Sequence, residues 1–410
     1  MLPWLSACYV AATLSAEYGR EQALGSESIS NEADKCVKCG LCLAVCPTYS
    51  LLHVETESPR GRVALMQAVV DAGEAAEGRL AAHLDHCLSC RRCEPACPSG
   101  VAYGALMDDM RALRFEQSSL PTRGVGRWLR AMLTGRPFGW AVGLQRILPA
   151  LGRWGRAVKR WPRGTFSNGM NYVGDESSER PLVLLFPGCV SRHLDTALLD
   201  DTEWLLKRLG FRVRRSDELR CCGALHRHAG DGSRAERLET ANRAFFERDG
   251  VHAVVSIASA CAAHLHETNR DVPVFEVSDF IARHLPESGL KPGTLELNVL
   301  LHVPCSQQYP GPGSDPLERL LTSIPGVNWH YPESGFGCCG AAGSYMFREP
   351  EMAARLLQPL LGEIRAAAVD CVVSTNIGCA LHIASGLDDA TPVRHPISLL
   401  VEALIVRNEG

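Results

Sequence analysis

Cysteine is the residue type whose spacing in this sequence most clearly indicates chemistry. The chain contains 18 cysteines, and most of them fall into two repeated patterns. The first pattern, C-x2-C-x2-C-x3-C-P, occurs twice near the N-terminus. Its first run comprises Cys36, Cys39, Cys42 and Cys46, and its second run comprises Cys87, Cys90, Cys93 and Cys97. So many thiols in a chain without a recognisable export signal indicate metal ligands, because a reducing cytosol disfavours disulfides.

This spacing is typical of two cubane [4Fe–4S] clusters. The first three cysteines of each run bind one cluster, and the fourth cysteine, which precedes a proline, binds the other. The two predicted ligand sets are therefore Cys36, Cys39, Cys42 and Cys97, and Cys87, Cys90, Cys93 and Cys46. Paired zinc knuckles are the alternative, but zinc gives no reason for the same fourth cysteine and proline in both runs. The pattern predicts a protein that transfers single electrons.

Positive charge lies inside both cysteine runs. Lys38 is in the first run, and Arg91 and Arg92 are in the second. Cations near the sulfurs stabilise the added electron, so we expect these residues to raise the reduction potentials of the clusters. Exposed side chains without this role are the alternative.

The second pattern occupies the C-terminal half, where the chain repeats itself with a period of about 116 residues. The first copy contains Cys189, Cys221, Cys222 and Cys261, and the second contains Cys305, Cys338, Cys339 and Cys379. Gaps of 31 and 38 residues in the first copy become 32 and 39 in the second, and each copy ends in CxxH, at His264 or His382. This regularity predicts two duplicated units, related by a pseudo-twofold axis, whose cysteines bind a metal or a cluster. Tight turns with buried thiols are the alternative.

Apolar runs in both copies predict the framework for these cysteines. Strands are predicted at residues 182–186, 251–257, 299–303 and 371–374, and helices at 195–209 and 234–246. The cysteines then follow strand ends or lie in loops, where ligands converge in an open parallel sheet. The expected fold class is α/β with an N-terminal α-helical ferredoxin domain and two duplicated α/β domains.

The length of 410 residues predicts two or three domains, and the composition, 46% hydrophobic and 21% charged, is that of a globular protein. We expect a helical ferredoxin domain at 1–118, a linker at 119–180, and the two repeat domains at 181–295 and 296–410. The net charge of −4 provides no general attraction to nucleic acid. The first 16 residues lack a basic segment, so we expect a helix there rather than a signal peptide, and a cytoplasmic protein.

The linker is basic and rich in tryptophan. Residues 123–163 contain ten basic and no acidic residues, interleaved with Trp128, Trp140, Trp154 and Trp161. This composition suits an amphipathic segment on an anionic membrane. It equally suits a docking surface for an acidic subunit, or a linker packed against its own domains. No nucleic-acid-reading motif accompanies it.

The combination of motifs resembles a known family. The cysteine runs flank an insert at residues 60–84, expected to be one helix, as in helical ferredoxin modules of fumarate reductase-type and heterodisulfide reductase-type subunits. The Cys-Cys-Gly turns resemble the cysteine-rich (CCG) domain of heterodisulfide reductases. With Ser58-Pro59-Arg60-Gly61-Arg62, Asn376-Ile377-Gly378-Cys379 and Val393-Arg394-His395, residues from about 30 to 405 resemble the iron–sulfur subunits of bacterial glycolate oxidase.

This resemblance implies a place in a membrane-associated complex. FAD on a partner flavoprotein would oxidise glycolate to glyoxylate without NAD as acceptor, and this subunit would pass the electrons toward the quinone pool. The complex would lie in the cytoplasm or peripherally on the inner face of the cytoplasmic membrane. The sequence assigns no catalytic residue and contains no dinucleotide-binding motif.

Both CCG copies depart from the heterodisulfide reductase pattern at their last position. The pattern ends in CxxC, whereas His264 and His382 stand there in this chain. Imidazole suits zinc or a four-cysteine cluster as well as a noncubane cluster, so disulfide reduction is not carried over. Helix capping by each histidine is the alternative.

Other functions fit the same motifs. The second hypothesis, from the same superfamily, is the iron–sulfur subunit of a lactate or glycerol-3-phosphate dehydrogenase. A thiol–disulfide reductase with a catalytic cluster in the second copy is a further possibility, although the fifth cysteines are missing. A zinc-stabilised assembly scaffold is the fourth.

Overall fold

The chain folds into a helical N-terminal region, a short helical connection and two α/β units. The computed structural model describes residues 26–73, 77–117, 131, 134–147, 152–162, 179–248, 250–333, 337–387 and 391–406. The helix expected within residues 1–16, as well as Cys8 and Trp128, lies outside these ranges. This architecture confirms the predicted fold class. Among the described residues, no helix is both long and apolar enough to traverse a bilayer.

Five helices build the described part of the N-terminal region. They are α1 (Ser26–Ala33), α2 (Pro47–Leu52), α3 (Pro59–Ala72), α4 (Gly78–Asp85) and α5 (Tyr103–Gln117). Helix α1 packs against both α3 and α5. The core between them contains Ile29, Met66 and Met107, together with several of the cysteines. The two cysteine runs form the loops that connect these helices, so the helices hold the loops in place.

The insert between the cysteine runs is two helices, and the expectation of one helix over residues 60–84 is wrong. Helix α3 ends at Gly73, which adopts a left-handed conformation (φ 63°), and its amide donates to the carbonyl oxygen of Val70. Glycine at this position satisfies the last carbonyls of a helix and stops its propagation. Helix α4 then begins five residues later, at Gly78.

The described part of the linker packs against both α/β units. It forms α6 (Arg136–Ile147) and α7 (Gly152–Arg160). The side chains of Val142 and Trp161 are buried with the second CCG copy, whereas Trp140 is 82% exposed. Packing against the protein's own domains therefore accounts for Trp161. Trp140 is exposed and could still serve membrane binding or docking of an acidic subunit.

The first α/β unit contains a four-stranded parallel sheet. Its elements are β1 (Leu182–Phe186), α8 (Ser191–Leu194), α9 (Thr196–Arg208), β2 (Arg212–Arg214), α10 (Ala224–Arg227), α11 (Gly232–Phe246), β3 (Val251–Ser256), α12 (Ser259–Thr268), β4 (Val274–Glu276) and α13 (Val277–His284). The strand order is β2-β1-β3-β4, with Leu184 opposite both Arg214 and Val254. The predicted strands and helices of this copy occur within one or two residues of their expected bounds.

The second unit repeats this topology. Its elements are β5 (Leu297–Leu301), α14 (Cys305–Gln308), α15 (Asp315–Thr322), β6 (Val327–His330), α16 (Tyr345–Arg348), α17 (Pro350–Ala367), β7 (Cys371–Val373), α18 (Ile377–Gly386), β8 (Val393–Arg394) and α19 (Pro396–Val406). The strand order is β6-β5-β7-β8, again entirely parallel. Strand β5 ends two residues before the predicted strand, because the chain turns at Pro304, which has no amide to donate to a sheet.

One hydrophobic core joins the two units. It includes Val183 and Val255 from the first sheet and Val299 and Val373 from the second, all fully buried. Between the sheets, α9 packs against α19 and α13 packs against α15. Each contact is the counterpart of the other when the copies are exchanged. This arrangement is the one expected for duplicated units around a pseudo-twofold axis.

Candidate iron–sulfur centres

The first predicted ligand set lies at the exposed end of the helical region. Its four cysteines, Cys36, Cys39, Cys42 and Cys97, line one cavity of about 30 Å³. Cys39 is exposed, and the neighbouring apolar side chains of Val37 and Leu41 are 69% and 58% exposed. The fold therefore brings the last cysteine of the second run to the first three of the first run, and it leaves this group at the surface.

The second predicted ligand set, completed by Cys46, is largely buried. Burial raises the pKa of the Cys93 thiol, and the negative charges of Cys90, Cys87 and Cys46 raise it further. The hydroxyl of Tyr103 donates to Cys87 Sγ at 3.8 Å. Four sulfurs that oppose one another's ionisation in this way can all become thiolates when a cationic centre binds between them. The donor set thus fits an iron–sulfur cluster.

Both cysteine loops turn through the left-handed region at equivalent positions. Lys38 and Ser89 have φ values of 58° and 50°, and Gly40 and Arg91 have values of 90° and 57°. Glycine is suited to this conformation, whereas Arg91 adopts it with a bulky side chain at an energetic cost. Arg91 is held there by ion pairs with Glu94 (2.8 Å) and Glu267. Its charge therefore faces carboxylates as well as the nearby sulfurs.

A buried ion pair lies directly behind Cys46. Arg62 Nη2 is 2.6 Å from Glu57 Oε2, and both side chains are almost completely buried. Burial disfavours the charged form of this guanidinium. Charge interactions with Tyr103, Cys87 and Cys46 nevertheless raise the pKa of Arg62, so it remains a cation. In the sequence, Arg62 is recognisable only as part of the Ser-Pro-Arg-Gly-Arg motif. Its charge lies beside Cys87 and Cys46, the kind of position for which a potential-raising role is expected of Lys38, Arg91 and Arg92.

Two histidines and a threonine complete this polar network. Glu57 Oε1 is 2.6 Å from His83 Nδ1 and 2.8 Å from His86 Nδ1. Thr48 Oγ1 lies 3.3 Å from Cys46 Sγ and accepts a hydrogen bond from Arg62 Nη1 at 3.0 Å. The Glu57 carboxylate therefore contacts Arg62, His83 and His86, and these partners make its buried charge tolerable.

In the first CCG copy, all four predicted cysteines converge. Hydrogen bonds from the Cys189 and Cys222 thiols hold the pKa of Cys221 well below its usual range. Cys222 also hydrogen-bonds to Cys261. The turn depends on Gly223, which has a φ of 105°. Four thiols linked pairwise in this way are a suitable donor set for zinc or for a cluster.

His264 does not join these thiols. Its Nε2 lies 2.9 Å from Glu239 Oε1, and Glu239 also pairs with Arg227 at 2.9 Å. The pKa of Glu239 falls to about 2 because, although burial raises it, His264 and Arg227 stabilise its charge more strongly. The imidazole contacts the CCG turn instead, since a Cβ on Gly223 would lie 3.2 Å from His264 Nε2. In this copy the histidine of CxxH therefore braces the turn.

In the second CCG copy, the four predicted cysteines also converge. Burial raises the pKa of Cys305 to about 11 and that of Cys338 to about 12, and the charge on Cys339 contributes to both. Hydrogen bonds from Cys379 and from His302 hold the pKa of Cys339 well below its usual range. His302, which sequence analysis did not single out, is thus a fifth group at this centre.

His382 packs against the linker. Its ring stacks on the indole of Trp154 in α7, with centroids 5.4 Å apart and an interplanar angle of 16°. The side chain is fully buried. This histidine therefore packs the linker helix α7 against the second unit. The candidate imidazole ligand of this copy is His302.

The buried N-terminal ligand set adjoins the second CCG copy. Burial raises the pKa of the Cys90 thiol, and the charges of Cys305 and Cys338 raise it further. The positive charge of Arg92 acts in the opposite direction on both Cys305 and Cys338. Cys90 also packs in the same hydrophobic cluster as Cys338. Two predicted centres that lie far apart in sequence are therefore neighbours.

A larger cavity of about 250 Å³ lies where the two CCG copies meet the linker. Its lining includes Trp161, Asp195, Ser374 and His395. The indole nitrogen of Trp161 donates to Asp195 Oδ1 at 2.6 Å. None of the predicted cysteine ligands lines this cavity, so it is separate from the candidate centres.

Two family models match the chain. A 4Fe–4S dicluster domain matches residues 32–101, and a cysteine-rich (CCG) domain matches residues 183–266 and 299–384. These matches contain all sixteen of the predicted cysteine ligands.

Curated proteins resemble the chain over nearly its whole length. The glycolate oxidase iron–sulfur subunit of Escherichia coli is 30% identical, with 93% of this chain and 96% of that protein covered. A probable glycolate oxidase iron–sulfur subunit of Bacillus subtilis is 29% identical, with coverage of 90% and 93%. A subunit of the dihydromethanophenazine:CoB–CoM heterodisulfide reductase of Methanosarcina mazei is 23% identical, with coverage of 91% and 94%.

Proposed function

Because the chain belongs to the family of glycolate oxidase iron–sulfur subunits, we propose that it is the electron-transfer subunit of a flavin-dependent glycolate oxidase. In this proposal a partner flavoprotein oxidises glycolate, or a related 2-hydroxyacid, at its FAD. Electrons then pass through this chain toward the quinone pool. The iron–sulfur character and the oxidoreductase complex follow from the family.

The observation that carries the proposal is the placement of the cysteine groups. One group opens to the surface at Cys39, the next is buried, and that buried group adjoins the second CCG copy through Cys90. When bound, each cubane accepts one electron, so a series of them can divide the two electrons of a reduced flavin. The fold therefore supplies a surface-exposed starting point and an internal route.

The residues around the buried group suit this role. Arg62 keeps a cation next to Cys46 and Cys87, and Tyr103 donates a hydrogen bond to the Cys87 sulfur. Positive charge and hydrogen bonds to cluster sulfurs raise a reduction potential. Electrons that arrive at the exposed group are thereby drawn inward.

The surface around Cys39 fits the partner flavoprotein. Val37 and Leu41 expose apolar area beside an exposed ligand cysteine. A partner that covers these side chains would exclude water and bring its flavin close to the first centre. Delivery of electrons to a quinone would place the complex on the inner face of the cytoplasmic membrane, because quinones are dissolved in the bilayer.

Replacement of single ligands tests the route. The variants Cys42→Ser and Cys93→Ser each remove a ligand of one N-terminal centre. We expect each variant to abolish reduction of a water-soluble quinone analogue by the purified complex, because the route is interrupted. Dye reduction directly by the flavoprotein should be unchanged.

Cys371→Ala is the matched control, because Cys371 is buried in β7 and belongs to none of the predicted ligand sets. It should retain quinone reduction. Retention of quinone reduction by both ligand variants would contradict the proposed route. The substrate profile of the co-purified flavoprotein separates glycolate from lactate and glycerol-3-phosphate.

Metal content tests the CCG copies. We propose that they hold further clusters or zinc. Iron, acid-labile sulfide and zinc are measured per chain after anaerobic purification. Roughly eight irons and eight sulfides with no zinc would mean that only the N-terminal centres are filled. Roughly twelve to sixteen irons, or added zinc, is the result expected if the CCG cysteines bind metal.

A further inference from the structure

The second CCG copy contains a histidine at the position of a metal ligand. One ligand atom each from His302, Cys339 and Cys379 lies within 4.8 Å of the other two, and all three residues are buried. His302 is only 2% exposed. Buried imidazole and thiol groups at this spacing are suited to a shared metal centre.

The fold fixes the orientation of this imidazole. His302 follows directly after β5, at the carboxyl end of the strand, and its amide donates to the carbonyl oxygen of Val373 at 2.9 Å. Its Nδ1 lies 3.0 Å from Ser374 Oγ, which follows β7. This hydrogen bond leaves Nε2 as the nitrogen available to a metal. Ligating histidines characteristically have their second ring nitrogen held in this way.

The first CCG copy has no histidine at the position equivalent to His302. His302 stands three residues before Cys305, and the residue three before Cys189 is Phe186. Phe186 is fully buried and packs edge-to-face against Phe246, with ring centroids 6.3 Å apart. The histidine of CxxH does not substitute for it, since His264 pairs with Glu239. The two copies therefore offer different donor sets within the same topology.

We propose that His302, through Nε2, is a ligand of the metal centre in the second CCG copy, alongside Cys339 and Cys379. This inference rests on the proposed function, in which the CCG cysteines bind a metal or cluster. The centre of the second copy then has a mixed imidazole–thiolate ligand set, and the equivalent position of the first copy is occupied by Phe186.

The mixed ligand set has a consequence for electron flow. If the centre is an iron–sulfur cluster, a neutral imidazole ligand gives it a higher reduction potential than a negatively charged thiolate at the same position would. The second copy is also the one that adjoins Cys90 of the buried N-terminal set. A cluster with this ligand would therefore favour electron transfer from the helical region into the second copy.

Isotope labelling tests the ligand in the unaltered protein. Chains with natural-abundance histidine and with ¹⁵N-histidine are purified anaerobically and reduced, and pulsed EPR measures nitrogen couplings to the cluster. If the centre contains zinc, zinc K-edge absorption measures a Zn–N shell at about 2.0–2.1 Å instead. We expect a strong nitrogen coupling that changes with the isotope, or that Zn–N shell.

Variants then identify the histidine. His302→Phe introduces the residue of the first copy and should remove the nitrogen signal and lower the metal content. His302→Cys should restore the metal content but not the nitrogen signal. In an iron–sulfur centre, His302→Cys should also lower the reduction potential. His382→Phe is the matched control, because His382 is equally buried but stacks on Trp154. It should retain the signal.

The outcomes separate the two proposals. A protein with metal in its CCG copies but no histidine nitrogen signal, or with a signal that persists in His302→Phe, overturns the assignment of His302 alone. A protein with no metal beyond the N-terminal centres overturns both this assignment and the proposed metal binding by the CCG copies. Neither readout depends on glycolate turnover.

Discussion

Gly61 lies in the first turn of α3 against the carbonyl oxygen of Glu55, where a Cβ would come within 1.9 Å of that oxygen. Ser58 caps the same helix, accepting a hydrogen bond from the Gly61 amide at 2.9 Å, and Pro59 occupies its first turn. The three residues fix the start of the helix and thereby direct Arg62 inward. At the scale of the residue, the Ser-Pro-Arg-Gly-Arg motif is a device for placing one buried guanidinium.

Removal of this guanidinium should be costly. Arg62→Leu leaves the Glu57 carboxylate buried without its ion-pair partner, although the hydrogen bonds from His83 and His86 remain. Loss of one partner of a buried pair typically costs about 3–5 kcal/mol. We expect a decrease of this size in the free energy of unfolding, measured by anaerobic denaturant titration. A redox titration should show a lower potential for the adjoining cluster.

Arg248→Leu is the control for this prediction. Its partner Glu218 lies 3.4 Å away, and both side chains are more than half exposed. A surface ion pair contributes about 0–1 kcal/mol, so this variant should change stability little. Equal losses in the two variants would show that burial of the Arg62–Glu57 pair has no energetic significance.

At the scale of the element, α13 begins with an unusual cap. Glu276, at the end of β4, accepts hydrogen bonds from the Ser278 amide at 2.8 Å and from the Ser278 hydroxyl at 3.2 Å. The carboxyl group is fully buried between the two CCG copies, 3.7 Å from His395 Nε2. Burial raises the pKa of Glu276 to about 8 and lowers the pKa of His395 to about 3. Both groups are therefore neutral at pH 7, and their contact is no ion pair.

The raised pKa of Glu276 makes stability depend on pH. The folded chain holds this proton up to about pH 8, whereas an unperturbed glutamate has a pKa of 4.5. The contribution of Glu276 to stability is therefore fully present below pH 4.5 and is lost as pH rises toward 8. The loss is about 1.4 kcal/mol per pH unit, or about 2 kcal/mol between pH 6 and pH 8.

Glu276→Gln tests this dependence, because the amide keeps a hydrogen-bond acceptor for the cap and does not titrate. Unfolding at pH 6 and pH 8 should show a smaller loss of stability in the variant than in the unaltered protein. Glu287→Gln, at an exposed position after α13, is the control and should leave the pH dependence unchanged. An equally steep loss in Glu276→Gln would contradict the assigned proton.

At the scale of the whole molecule, the helical region and the α/β units are stabilised differently. The core of the helical region includes Cys36, Cys42, Cys87, Cys93 and Cys97, which are predicted ligands. The main core between the two sheets contains Cys371, but none of the predicted ligands. The first core is small and contains predicted metal ligands, whereas the second is extensive and contains none of them.

Removal of iron should therefore unfold the chain in order. We expect anaerobic chelation to release amide protons of α3 and α5 to hydrogen exchange while those of β1, β3, β5 and β7 stay protected. After chelation, the sulfurs of the N-terminal sets lie close together without the cationic centre that would hold them, and this destabilises the helical region. Hydrogen exchange with mass spectrometry measures both regions in one sample. Simultaneous loss of protection in both would show that the sheets also depend on iron.

The sequence by itself determined the local features. Cysteine spacing within a run is a short-range constraint, so the cluster loops could be predicted from it. The apolar strands and the period of about 116 residues likewise predicted two parallel α/β units. The domain limits at 118, 180 and 295 remain predictions. The prediction of a single helix over residues 60–84 was wrong, because it rested on the helix-forming composition of the segment and overlooked the stop signal of Gly73.

Only the tertiary structure decided which groups meet across the chain. Arg62 reaches Cys46 because α3 packs inward, and Cys90 adjoins Cys305 because the helical region lies against the second unit. Residues so far apart in sequence carry no spacing signal, since their proximity depends on how whole elements pack. His302 had a detectable signal, the mismatch with Phe186 in an otherwise regular repeat. Its meaning emerged only when β5 and β7 placed its ring beside two thiols.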